Sequence, residues 1–104
     1  MAWVEIGIVS DFAEGTATEL VVRDRIVAVF CVAGQLFAMD GVCPHQGGPL
    51  GKGTLDGCIL TCPWHGWQFD IHEGKSQLTP NVKQPTFDLK IEDGCVFLLF
   101  SDGD

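Results

Sequence analysis

The chain contains no tyrosine, only six lysines and arginines together, and three histidines. Against fourteen aspartates and glutamates, that shortage of cations gives a net charge of −8. Such a charge repels polyanions, so nucleic acids and anionic membrane surfaces are not expected as partners. Long apolar runs are missing too: the longest, Ile26 to Ala33, has eight residues, where a bilayer-crossing helix needs roughly twenty. Met1 to Gly7 shows no basic segment followed by a long apolar one, so neither secretion nor organelle import is expected. There is no glycine-rich dinucleotide fingerprint, which argues against hydride transfer with a nicotinamide. No catalytic triad is legible. With His72 the one histidine outside the motifs described below, a mononuclear iron site of two histidines and a carboxylate cannot be built. No three-turn helix with capping residues, internal repeat or low-complexity segment is found.

What the chain does carry is strand signal. Its 104 residues suit a single domain, 1–104, and thirteen glycines with five prolines supply many turns for a 46% apolar composition. Strands are expected at Trp3 to Ile8, Glu19 to Arg23, Arg25 to Val32 and Gln35 to Met39, with Ser10 to Thr18 as a loop and Ala33-Gly34 as a tight hairpin turn. Asp40-Gly41 ends the fourth strand. Cys58 to Thr61 reads as a further strand, and Trp67, Phe69 and Ile71 alternate with Gln68 and Asp70 at a period of two. After a turn at Glu73-Gly74, Thr79 to Pro85 is a proline-containing connection that cannot be a central strand. Phe87, Leu89 and Ile91 alternate with polar residues, and Asp93-Gly94 turns that strand into Cys95 to Phe100. The expected fold is all-β, a small antiparallel β-sandwich or barrel.

Two runs stand apart: Cys43-Pro44-His45-Gln46-Gly47-Gly48-Pro49-Leu50 and Cys62-Pro63-Trp64-His65-Gly66-Trp67. As metal ligands they read Cys-x-His, sixteen intervening residues, then Cys-x-x-His. Each half offers one thiolate and one imidazole, so two facing loops can close on a binuclear centre, and a 2Fe-2S cluster suits that arrangement. A structural zinc site is the bland alternative. Zinc sites, however, usually pair like ligands, Cys with Cys and His with His, whereas each half here mixes them.

In ligand type, order and spacing the two motifs resemble those of the Rieske iron-sulfur proteins. The resemblance implies a cluster-binding subdomain of two loops within about 41–67, holding one 2Fe-2S cluster. It further implies that Cys43 and Cys62 hold one iron while His45 and His65 hold the other, nearer the surface. Two ferric ions, two sulfides and two thiolates sum formally to zero, so adding an electron costs less than in an all-cysteine site. High-potential respiratory members join an extra cysteine in each loop as a disulfide, and carry a serine and a tyrosine two and four residues after the second histidine. The matching positions here are Gly48 and Trp64 for the cysteines and Trp67 and Phe69 for the hydroxyls, which implies a potential low for the type.

By the same resemblance the chain looks like the free-standing ferredoxin of bacterial aromatic-ring dioxygenase systems, not itself an enzyme. It would pass single electrons from a flavoprotein reductase to a terminal oxygenase. The small subunit of a cytoplasmic NAD(P)H-dependent nitrite reductase is the alternative, and a zinc-stabilised interaction module a remoter one. Cys31, Cys58 and Cys95 are expected as buried free thiols, which points to a reducing cytoplasm. Gly47 and Gly48 are expected to let backbone approach the cluster; for Pro49 and Leu50, covering it or starting the loop's return are equally open. Trp64 is expected to shield the cluster or line a docking surface, Trp67 and Phe69 to enter the core, and His72 to be an ordinary surface histidine without a partner ligand.

Overall fold

The computed structural model describes residues 2–43, 47–64, 66–78 and 81–100. In chain order the strands are β1 (Ala2–Ile8), β2 (Ala17–Val22), β3 (Arg25–Val32), β4 (Gln35–Asp40), β5 (Thr54–Asp56), β6 (Ile59–Thr61), β7 (Gln68–Asp70), β8 (Lys75–Ser76), β9 (Thr86–Phe87), β10 (Leu89–Glu92) and β11 (Cys95–Phe100). They form three antiparallel sheets, ordered β1-β11-β10, β2-β3-β4-β9 and β5-β6-β7-β8. Two single-turn 3-10 segments, Val9–Asp11 and Leu50–Lys52, are the helical pieces among the described residues.

The hairpins close where turn chemistry requires. Arg23 and Asp24, Ala33 and Gly34, and Asp93 and Gly94 are each a pair of residues at positive φ between directly paired strand ends, the arrangement of a type I′ turn. That backbone twist matches the twist of the strands it joins. At Ala33 (φ +53), which has a side chain, the turn is clamped from outside: both oxygens of Glu14 accept from the loop, Oε2 from Ala33 N–H at 2.6 Å and Oε1 from Gly34 N–H at 2.8 Å.

The central strand is β3, whose two faces are both covered. Val27 and Val29 pack with Ala38, Val96 and Leu98 between the first two sheets, while Ala28 and Phe30 pack with Met39, Leu60 and Phe69 toward the third sheet. This explains why Ile26 to Ala33 is the chain's longest apolar run instead of an alternating one: a strand buried on both sides has no solvent face to make polar. Burial of each such side chain stabilises the fold by about 1.5–3 kcal/mol, and Phe30→Ala should cost about 3–5 kcal/mol.

Several expectations need correction. Strand β2 begins at Ala17, inside the expected loop, and β5 and β8 were not anticipated because three and two residues are too short for a periodic signal. The expected strand through Phe87, Leu89 and Ile91 is two strands in different sheets, β9 beside β4 and β10 beside β11, so Ile91 ends on an outer face and is exposed. Cys31 is buried, but Cys58 and Cys95 are only partly so, since each adjoins a surface turn. Of the connection from Thr79 to Pro85, Thr79 and Pro80 lie outside the described residues, and Lys83 makes one isolated bridge to Lys75.

Candidate metal centre

The described residues of the two motif runs lie against each other, Gly48 approaching Cys62 and Trp64. In the first, Cys43 N–H donates to Gly48 O and Gly47 N–H to Cys43 O, both at 2.9 Å, and Val42 bridges to Pro49. Gly47, at φ +76, takes a left-handed conformation that glycine adopts without a Cβ penalty. In the second, Cys62 N–H donates to Trp67 O at 2.7 Å, closing the loop between β6 and β7. His45 and His65 lie outside the described residues, as do Pro44 and Gln46.

Cys43 and Cys62 are 2% and 1% exposed, and both belong to the apolar cluster that contains Leu50, Leu60 and Phe69. Their thiols are free and within reach of each other. Burial pushes the Cys62 thiol up; a hydrogen bond from the Trp64 backbone opposes this, and the neighbouring Cys43 reinforces it. Two desolvated thiols side by side, one already accepting a backbone N–H, are a site waiting for positive charge. Gly48 completes the cradle: a Cβ there would stand 2.7 Å from Cys62 Sγ and 3.1 Å from Trp64 Cβ. The donor chemistry, the burial and the glycine contact fit a thiolate-ligated cluster. Among the described residues no three His, Cys, Asp or Glu side chains are arranged to hold a metal ion, the two motif histidines standing outside them.

The base of the first loop is bolted down by residues the sequence did not single out. Asp40 Oδ2 pairs with Arg25 at 3.2 Å, its Oδ1 accepts from Val42 N–H at 3.0 Å, and its N–H donates to Pro85 O at 2.9 Å. Gln84, a buried polar side chain, donates from Nε2 to the backbone oxygens of Asp40 (3.0 Å) and Val42 (2.6 Å). A buried amide from a proline-rich connection offers no sequence signal of its role. Pro49 begins the loop's return, by its bridge to Val42, and Leu50 is fully buried in the core.

Three large apolar side chains stand exposed around the loops. Trp64 is 50% exposed; Val42 is also exposed, and Leu78, unmarked by any motif, is 69% exposed. Leu78 lines a surface pocket with Gly66, Trp67, Gln68 and Gln77, which places it beside the second loop. Phe69 is in the core as expected, whereas Trp67 is half-buried and packs against it. His72 is exposed as expected but not isolated: Asp70 and Cys58 both lie against its ring.

An all-β scaffold of hairpins, presenting two buried cysteines from facing loops, defines a small protein built around a metal centre. The sequence pattern of the Rieske 2Fe-2S domain matches residues 2–92, and the chain belongs to that family. Its cofactor is accordingly one 2Fe-2S cluster. Over 97 residues it is 32% identical to the ferredoxin component of the naphthalene 1,2-dioxygenase/salicylate 5-hydroxylase systems of a Ralstonia species, covering 92% of this chain and 93% of that one. Among solved structures, the Sphingomonas yanoikuyae B1 ferredoxin superposes with a TM-score of 0.86 at 30% identity, covering 93% and 97% of the two chains. A chain from the complex of reduced oxygenase and oxidised ferredoxin in carbazole 1,9a-dioxygenase superposes with a TM-score of 0.84 at 30% identity, covering 92% and 91%.

Proposed function

We propose that this chain is the ferredoxin component of a bacterial ring-hydroxylating dioxygenase system, a one-electron carrier between a flavoprotein reductase and a terminal oxygenase. It is a carrier and not itself a catalytic subunit. The observation that carries the reading is the pair of buried thiols, Cys43 and Cys62, at the facing bases of two short loops. Cys43 and Cys62 would hold one iron and His45 and His65 the other. When bound, the cluster accepts and releases a single electron at a potential raised by its neutral imidazole ligands.

The chain's own residues do the rest. Leu50, Leu60 and Phe69, each fully buried, keep water from the thiolates on the core side. Gln84, Arg25 and Asp40 hold the first loop in place from below. Val42, Trp64 and Leu78 leave an apolar rim on the outer side against which a partner can pack closely. The chain forms one domain, 1–104, and works in the cytoplasm; none of its five cysteines is paired in a disulfide, as suits a reducing compartment. Among the described residues no helix is long and apolar enough to cross a membrane. The relatives favour the oxygenase ferredoxin over a nitrite reductase subunit.

The test is chemical. Purified protein should hold about two irons and two acid-labile sulfides per chain. His65→Ala should lose them and His72→Ala should keep them; zinc at full occupancy without sulfide would overturn the reading. Reduction by a flavoprotein reductase, followed by electron delivery to a dioxygenase, establishes the partners.

A further inference from the structure

At the end of the β6-β7 hairpin away from the metal centre, three side chains unused by electron transfer stand in line. Cys58 Sγ lies 3.7 Å from His72 Nε2, and His72 Nδ1 lies 3.0 Å from Asp70 Oδ1. The local fold fixes them. Gly57, at φ +58, opens the two-residue turn between β5 and β6 and leaves Cys58 as its second residue, outside the strands. Pairing of Ile59 with Asp70 and a 3.0 Å hydrogen bond from Ile71 N–H to Cys58 O bring the end of β7 alongside.

The imidazole is held on two sides. Phe37 packs edge-on against it with ring centroids 4.6 Å apart, and Asp70 Oδ1 accepts from the His72 backbone N–H at 2.9 Å as well as facing the ring. A carboxylate oxygen accepts, so the neutral tautomer that satisfies both contacts carries its proton on Nδ1 and leaves Nε2 as the acceptor 3.7 Å from the sulfur. A nucleophile, a base in reach of it and a third group orienting the base are the parts of an activated thiol. Cys95 provides the contrast, being free and partly buried like Cys58, but without a side-chain hydrogen bond among the described residues.

We propose that Cys58, with His72 as its proton acceptor and Asp70 as the orienting group, is a reactive thiol that is oxidised by hydroperoxides. His72 Nε2 takes the thiol proton and the sulfur attacks one peroxide oxygen. An S–O bond forms as the O–O bond breaks, so the sulfur loses two electrons to become a sulfenic acid and the peroxide gains them. The proton on His72 passes to the departing oxygen, which leaves as water or an alcohol. The site is separate from the cluster. Cys62 lies four residues further along, across β6, or about 13 Å of extended chain at roughly 3.3 Å per residue. Cys43 and Cys62 are buried, whereas the His72 side chain is 48% exposed.

The experiment treats the cluster-loaded protein with hydrogen peroxide in the presence of dimedone and follows adducts on the peptides containing Cys58 and Cys95 by mass spectrometry. Cys58 should be trapped about tenfold faster than Cys95, because a base stands 3.7 Å from its sulfur to take the proton during attack and no side chain among the described residues does so at Cys95. His72→Gln should remove most of that advantage and Asp70→Asn part of it, with iron and sulfide content unchanged over the interval. Equal labelling of Cys58 and Cys95 in the parent protein would overturn the proposal without any variant having to fold. So would a Cys58 rate that His72→Gln leaves unaltered.

Discussion

Gln84 and Val42 are joined by a 2.6 Å hydrogen bond from a buried side-chain amide to the carbonyl of the residue before Cys43. A segment more than forty positions along the chain thereby carries part of the first cluster loop.

Gln84→Leu strips both the Asp40 and the Val42 carbonyls of their amide partner, and because these bonds are part-buried the loss should cost about 1 kcal/mol, the low end for an acceptor left unpaired. Unfolding midpoints in denaturant should fall accordingly, and the visible absorption of the cluster should bleach faster than in the parent. A variant with unchanged midpoint and bleaching would show that the clamp is dispensable.

Gly48→Ala should reduce cluster loading even though alanine is otherwise the mildest substitution. The added methyl would sit 2.7 Å from Cys62 Sγ and 3.1 Å from Trp64 Cβ, so the sulfur or the Trp64 side chain must move, at about 1–3 kcal/mol for such overpacking. Iron and sulfide per chain are the readout, with Gly57→Ala as the contrast: its φ of +58 strains alanine but a Cβ there meets nothing within 4 Å, so it should lower stability without lowering loading.

The reduction potential should lie near the bottom of the roughly −150 to +300 mV span of Rieske centres. Phe69 fills the core beside Cys62 with a ring that has no hydroxyl to donate, and the chain has no tyrosine anywhere. Voltammetry should show the midpoint rising in Phe69→Tyr if the new hydroxyl reaches the centre; a parent midpoint near the top of the span would refute the argument.

Glu14 should make stability depend on acid. Hydrogen bonds from the Gly34 and Ala33 N–H groups hold its carboxyl below the ordinary value of 4.5. The folded chain therefore binds protons at Glu14 less readily than the unfolded chain, so this contribution is complete above that ordinary value and is lost as pH falls through the lowered one. Thermal unfolding across acidic pH should show the parent losing its advantage over Glu14→Gln as the pH drops. A constant difference between the two proteins would reject the clamp as the cause.

Docking should be apolar at the tip and steered by charge from the body. Pro44 to Gly51 and Pro63 to Trp67 contain no Asp or Glu, while the chain as a whole carries −8. A reductase or oxygenase with a basic rim should meet it fastest at low salt, and the advantage should vanish as the Debye length shrinks from about 30 Å at 0.01 M to about 10 Å at 0.1 M. Stopped-flow reduction should slow with salt in the parent and in Trp64→Ala, with the variant slower throughout. A rate indifferent to salt rejects steering, and an unchanged Trp64→Ala rate with cluster content intact rejects Trp64 as a docking residue.

The sequence by itself determined whatever rests on short spacing and local backbone preference. The mixed cysteine and histidine centre proposed for Cys43, His45, Cys62 and His65 is legible there because metal chemistry constrains ligand type and separation within one loop. Ala33-Gly34 and Asp93-Gly94 announce hairpins because their turns require positive φ at both positions. What only the tertiary structure decided are the relationships made by distant segments. Gln84 meets the first loop, Leu78 joins the apolar rim, Ile91 leaves the core because its strand changes sheet at Asp88, and Cys58 finds His72 across a turn. No local pattern encodes these, because each depends on which strand pairs with which, and that is settled by burying both faces of β3 at once.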